Sequence, residues 1–184
     1  MNYFTKNTIV FTLISLTTFA QDAKKEVQKI ETKMDLFSSK TGTIIKFIDT
    51  KLSPMKTSYS NLETRIRKVV GNEESHYFYQ IEKQAQYSNP TALIEYSDLL
   101  EIIKAFNVLK AEIDKDMKSN PDYLENKFTT EDGFQLGYYV SNGKLVWYIR
   151  LEKYGSDNTV FIKDVQTLET SLLEAKNKIE ELKK

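Results

Sequence analysis

His76 is the only histidine in the chain, set in the run Ser75-His76-Tyr77-Phe78-Tyr79-Gln80. It is the one side chain whose ordinary pKa suits general acid–base work near neutrality. No motif supplies a nucleophile for it: there is no Gly-x-Ser-x-Gly turn and no Ser-x-x-Lys arrangement in a supporting context. With one histidine and no cysteine, a zinc site lacks ligands and thiolate redox chemistry is excluded. Calcium asks for closely spaced oxygens ending on a glutamate, and Glu131-Asp132 and Asp157-Asn158 are turn fragments without that spacing. The six glycines form neither a phosphate loop nor a dinucleotide fingerprint. The sequence therefore names no catalytic residue, no metal ligand and no cofactor site. A small hydrolase using carboxylates that converge only in space is the alternative reading, because nothing in the order of the 26 acidic residues selects a pair.

The residue types that do stand out are aromatic and arginine. Arg65, Arg67, His76, Phe78, Tyr139, Tyr148 and Arg150 share one property under the strand reading below: all fall on the same side of the sheet. Aromatics and arginines are enriched at interfaces because they combine contact area with directed hydrogen bonds. These seven residues are the expected binding surface, for another envelope protein or an extended ligand. On that reading Phe78 and Tyr148 face outward and are dispensable for folding.

The elements that would position them come in two similar blocks. Arg65 to Lys83 lies ungapped on Gln135 to Lys153 at a shift of 70, matching Ile66 with Leu136, Val70 with Val140 and Ile81 with Leu151. Asp132-Gly133 and Asn142-Gly143 are strong hairpin-turn dipeptides. Strands are expected at 44–48, 62–70, 76–83, 92–96, 134–140, 145–151 and 159–162. Asp98 and Asp164 read as N-caps of two helices, with apolar series from Leu99 to Ile113 and from Val165 to Leu182 stepping by three and four. The second series packs on its own sheet rather than forming a coiled coil, since it spans only about three heptads. Val27, Ile30, Met34 and Phe37 predict an opening helix, with Gly42 at its C-cap. The expected fold is α+β: an antiparallel sheet from two tandem strand-rich units, about 40–119 and 120–184, each followed by a helix, with the helices on one face. Alternation then turns Tyr77, Tyr79, Ile81, Trp147, Ile149 and Leu151 toward the helices.

Composition sets the outer limits. Apolar residues are 40% and charged residues 28% of 184, with three prolines, which is ordinary for a folded domain. Met1 to Lys6 carries one lysine, Asn7 to Ala20 is uncharged and mostly apolar, and Gln21 onward turns polar. This is the pattern of a signal peptide over 1–20, leaving a single domain over 21–184, periplasmic or secreted, with no membrane span after leader removal. Lysine plus arginine equals aspartate plus glutamate at 26 each. That balance gives no support for a nucleic-acid partner, whose recognition rests on a basic excess.

Four segments add a resemblance: Thr41 to Phe47, Tyr77 to Lys83, Asn120 to Asn126 and Tyr154 to Asn158. Through them the chain resembles uncharacterised exported proteins of the Bacteroidetes group of Gram-negative bacteria. The resemblance implies an envelope or secreted location and brings no activity with it. The leading expectation is an exported, non-enzymatic binding protein.

Overall fold

A computed structural model describes residues 31–39, 41–57, 59, 61–71, 74–86 and 89–184. The expected leader, and the start of the expected opening helix with Val27 and Ile30, lie outside the described residues. In chain order the elements are α1 (Lys33–Ser38), β1 (Lys46–Lys51), β2 (Met55–Lys56), β3 (Asn61–Val70), β4 (Ser75–Lys83), β5 (Thr91–Glu95), α2 (Tyr96–Lys118), β6 (Tyr123–Thr129), β7 (Gln135–Ser141), β8 (Lys144–Arg150), β9 (Thr159–Ile162) and α3 (Val165–Leu182).

The fold is α+β, with a helix after each group of strands. All pairs are antiparallel. The strands divide into two sheets, where a single continuous one was expected. Sheet A runs β1-β3-β4-β5, with β2 beside β3 in continuation of the β1 row, and sheet B runs β6-β7-β8-β9. From β2 to β5 and from β6 to β9 each strand pairs with the next, and the 23-residue α2 carries the chain away between β5 and β6.

Both long helices serve both sheets. Leu99, Ile102, Phe106 and Leu109 form the buried stripe of α2; Leu168, Leu172, Ala175 and Ile179 form that of α3. α2 contacts β4 and β5 of one sheet and β6 and β7 of the other, while α3 contacts β2, β3 and β9. One core results, in which Trp147 lies 5.4 Å from Phe106 and 5.1 Å from Tyr138, ring centre to ring centre. Each large side chain removed from water here contributes roughly 1.5–3 kcal/mol. Polar groups in this layer are paired. The Tyr79 hydroxyl sits 2.7 Å from Ser171 Oγ, and the Tyr138 hydroxyl donates to Asp116 Oδ2 at 2.6 Å. Burial, reinforced by that bond to Asp116, pushes the Tyr138 phenol up to about 12.

Asp164 caps α3 as expected, accepting from the Gln166 N–H at 3.0 Å. The cap of α2 is instead Glu95, whose carboxylate accepts from the Ser97 N–H at 2.6 Å; Asp98 lies in the first turn. α1 ends at Ser38 with Ser39 as its C-cap, so Gly42 belongs to the turn beyond. β6 had no sequence signal because Asn126 interrupts its inward series Leu124–Asn126–Phe128. That amide is spent inside, on Asp116 at 3.3 Å and the Tyr138 hydroxyl at 3.4 Å.

The β7–β8 hairpin turns on Asn142 and Gly143, at φ 52° and 69°. Two positive φ values are what a two-residue turn needs to match the strand twist. The β3–β4 connection spans four residues, since Val70 pairs with Ser75. The Lys83 N–H bonds the Pro90 carbonyl and the Leu151 N–H bonds the Asn158 carbonyl, closing β4–β5 and β8–β9 in the same way. Lys83 therefore matches Leu151, an offset of 68, and the pairing rows then match Thr64 with Leu136, an offset of 72. The single offset of 70 misses each by two residues. Two is one full pleat period, so every residue keeps its side.

Candidate functional site

The seven residues singled out by sequence all lie on sheet faces turned away from α2 and α3, but on two different sheets. Arg65, Arg67, His76 and Phe78 belong to sheet A; Tyr139, Tyr148 and Arg150 belong to sheet B. The two outer faces are finished in different ways.

α1 covers part of the outer face of sheet A, while Phe47 on β1 stays 49% exposed on that face with the Arg67 guanidinium 5.6 Å over its ring. Thr32 and Asp35 form a reciprocal capping box at its start. The Lys33 N–H then reaches both Asp132 carboxylate oxygens at 3.2 Å, and Lys33 Nζ lies 2.6 Å from Asp98. Met34 and Phe37 come down on Val69 and Phe78 to make a second, smaller core. Phe78 is 0% exposed, which corrects the expectation that it faces solvent. A six-residue helix from the N-terminal segment covers it, as only tertiary folding could reveal. His76 stacks on Phe37 at 3.5 Å between ring centres, its Nε2 3.2 Å from Glu74. The sheet A arginines are also committed. Arg67 grips Asp49 with Nε and Nη2 at 2.8 and 2.7 Å, and Arg65 Nη2 lies 2.9 Å from Glu82. The Arg67 bond, against some burial, holds the Asp49 carboxyl below its usual range.

Among the described residues no helix lies over the outer face of sheet B, and strand register lays that face out in rows. Glu125, Tyr139 and Val146 form one row, Lys127, Gly137, Tyr148 and Phe161 the next, and Thr129, Gln135, Arg150 and Thr159 the last. A shallow depression of about 200 Å³ opens across them. Three rings stand along it in sequence: Tyr123 stacks on Tyr139 at 6.1 Å, and Tyr139 meets Phe161 edge-on at 6.5 Å. Tyr123 is 62% and Phe161 41% exposed.

Tyr148 differs from these, and the expectation for it is corrected: it is 5% exposed. Its cross-strand partner on β7 is Gly137, and its hydroxyl donates to Glu125 of β6 at 2.6 Å. To reach β6 the ring must cross β7 where that strand has no side chain. A Cβ at 137 would stand 2.4 Å from the Asn126 carbonyl and 2.7 Å from Lys127 Cβ, so β6 and β7 approach too closely there for any other residue. Tyr148 is thus the floor of the depression rather than its contact surface. Burial, then the bond to Glu125, raises its phenol; the same bond lowers Glu125.

Arg150 is the outlier among the arginines. Its Nε donates to Thr159 at 3.4 Å, and it forms no ion pair among the described residues. Glu125 feels its charge but is already bonded to Tyr148 and Lys127. Its neighbour Gln135 makes no side-chain hydrogen bond among the described residues. Sequence reasoning missed Tyr123 and Phe161. Alternation within 159–162 holds the signal for Phe161, whereas Tyr123 was lost with β6.

Two acids, Asp98 and Asp132, meet on Lys33, and burial raises the Asp132 carboxyl. Their role on view is to fasten α1. Among the described residues no group of three or more histidine, cysteine, aspartate and glutamate side chains is placed to hold a metal ion, and no helix is long and apolar enough to cross a membrane. The architecture defines a class, an α+β protein of two four-stranded antiparallel paths under a shared pair of helices. Comparison with protein-family models, curated proteins and solved structures gives no match.

Proposed function

We propose that this chain is an exported, non-enzymatic binding protein of the cell envelope, and that it takes its partner on the outer face of sheet B. One observation carries the reading. Tyr123 and Phe161 are exposed beside the half-buried Tyr139, around an arginine that has no carboxylate partner among the described residues, while on sheet A both arginines are paired with carboxylates and α1 covers Phe78 and Val69. Exposed aromatic rings beside an unpaired guanidinium are the residue types that anchor interfaces. The sequence pattern of residues 1–20 supports export.

The test uses leaderless protein, immobilised and exposed to envelope extract of the source cells. Retention of one partner by the parent, lost in Tyr139→Ser/Phe161→Ser while urea unfolding stays within about 0.5 kcal/mol, supports the role. Retention unchanged in that variant refutes it. Export is tested separately: mass spectrometry of the protein recovered outside the cytoplasm should find a chain beginning near Gln21, and a chain still starting at Met1 argues against cleavage.

A further inference from the structure

We infer that the ligand of the sheet B face is a carboxylate-bearing oligosaccharide, a run of two or three sugar units of which at least one is a uronate; this rests on the reading of that face as the binding site. The depression, at about 200 Å³, is smaller than the roughly 300–1,000 Å³ pockets that enclose drug-sized ligands. It suits flat units laid on the surface. Phe161 and Tyr123, the two exposed rings, flank Tyr139 at 6.5 and 6.1 Å, and a sugar unit can set its C–H face on either of them.

The polar row supplies the other half of recognition. Thr159 stands two residues from Phe161 on β9, about 7 Å along the strand, and its cross-strand partner is Arg150, followed by Gln135. A unit stacked on Phe161 therefore brings its substituents over Arg150. Nε of Arg150 is held by Thr159, which leaves the terminal guanidinium nitrogens free to grip both oxygens of a carboxylate. The Gln135 amide offers one donor group and one acceptor to a pair of vicinal hydroxyls. The charges of Glu125 and Lys127 offset each other at 3.1 Å, so Arg150 leaves the lining of the depression with one excess positive charge.

An extended peptide fits this surface less well. β7 and β8 are each paired on both sides, so their backbone N–H and C=O groups are consumed in the ladders and offer nothing to a strand lying on the face. Only side chains remain to bind with, and these are rings, a carboxamide, a hydroxyl and a guanidinium.

The experiment titrates the leaderless protein calorimetrically with oligomers of galacturonate, glucuronate and mannuronate, with the methyl ester of whichever binds best, and with a neutral gluco-oligosaccharide. One uronate oligomer should bind. Methyl esterification, or Arg150→Gln, should weaken it on the order of tenfold or more, Phe161→Ala should weaken it similarly, and Leu173→Ala on the exposed side of α3 should leave it unchanged. Failure of every uronate at millimolar concentration overturns the inference, as does equal binding of the neutral oligomer or an Arg150→Gln variant with parental affinity. If extract capture still depends on Tyr139 and Phe161 while the uronates fail, a protein partner takes the sugar's place and the binding role stands. If neither depends on them, both fall.

Discussion

The outer faces of the two sheets start from the same ingredients, aromatic residues with arginines at alternate strand positions, and reach opposite ends. On sheet A, Phe78 and Val69 are roofed by Met34 and Phe37, and Arg65 and Arg67 are neutralised by Asp49 and Glu82. On sheet B, among the described residues, no helix covers the rings and Arg150 has no carboxylate. The difference teaches that alternation fixes which side of a sheet a residue faces, while solvent access depends on what else the chain lays over that side.

The sharpest way to break this contrast is truncation of one ring on each face. Phe78→Ala should cost about 3–5 kcal/mol, the range for emptying an aromatic site in a core, and Phe161→Ala no more than about 0.5 kcal/mol. Urea unfolding of the two variants compares them directly, and equal losses would abolish the distinction.

Next in size is Gly137→Ala. The added methyl meets the backbone of β6 at 2.4 Å, so about 1–3 kcal/mol should be lost. The Tyr148–Glu125 bond should be disturbed with it, visible as a raised Glu125 titration by NMR.

A third measurement sets the inner layer beside both outer faces. An unfolded tyrosine ionises near 10, while Tyr138 in the fold holds its proton to about 12. Between those values the unfolded chain has released a proton that the folded chain keeps, so stability falls as pH rises from about 10 to about 12. Tyr138→Phe should flatten that arm, although it also loses stability at pH 7 through the missing bond to Asp116. Denaturant midpoints from pH 9 to 12.5 read both effects.

The smallest contrast is between arginines. Arg65→Ala removes a partner from three carboxylates and should cost about 1 kcal/mol, whereas Arg150→Ala should stay within about 0.5 kcal/mol. A larger loss at Arg150 would mean that it braces sheet B.

Much of this arrangement was legible before any coordinates. Period-2 alternation sorted Tyr77, Tyr79, Trp147 and Ile149 to the helix side, and it survived a misjudged offset because the errors were whole pleat periods. Asn142-Gly143 announced its hairpin through the φ values its residues tolerate. What stayed hidden was non-local. The cover over Phe78 comes from residues some forty positions earlier in the chain, Tyr148 is buried through a glycine on the next strand, and β6 conceals itself behind an inward asparagine whose partners lie on α2 and β7.

The fastening of α1 has a bearing on the order of events during biosynthesis. Its Lys33 amide is anchored 99 positions downstream, at Asp132. A chain made N-terminus first thus makes this small helix well before the β6–β7 loop and can fasten it only after that loop has emerged. Until then Phe78 and Val69 stay unsheltered. The roof over Phe78 is thus made about a hundred residues before the loop that fastens it.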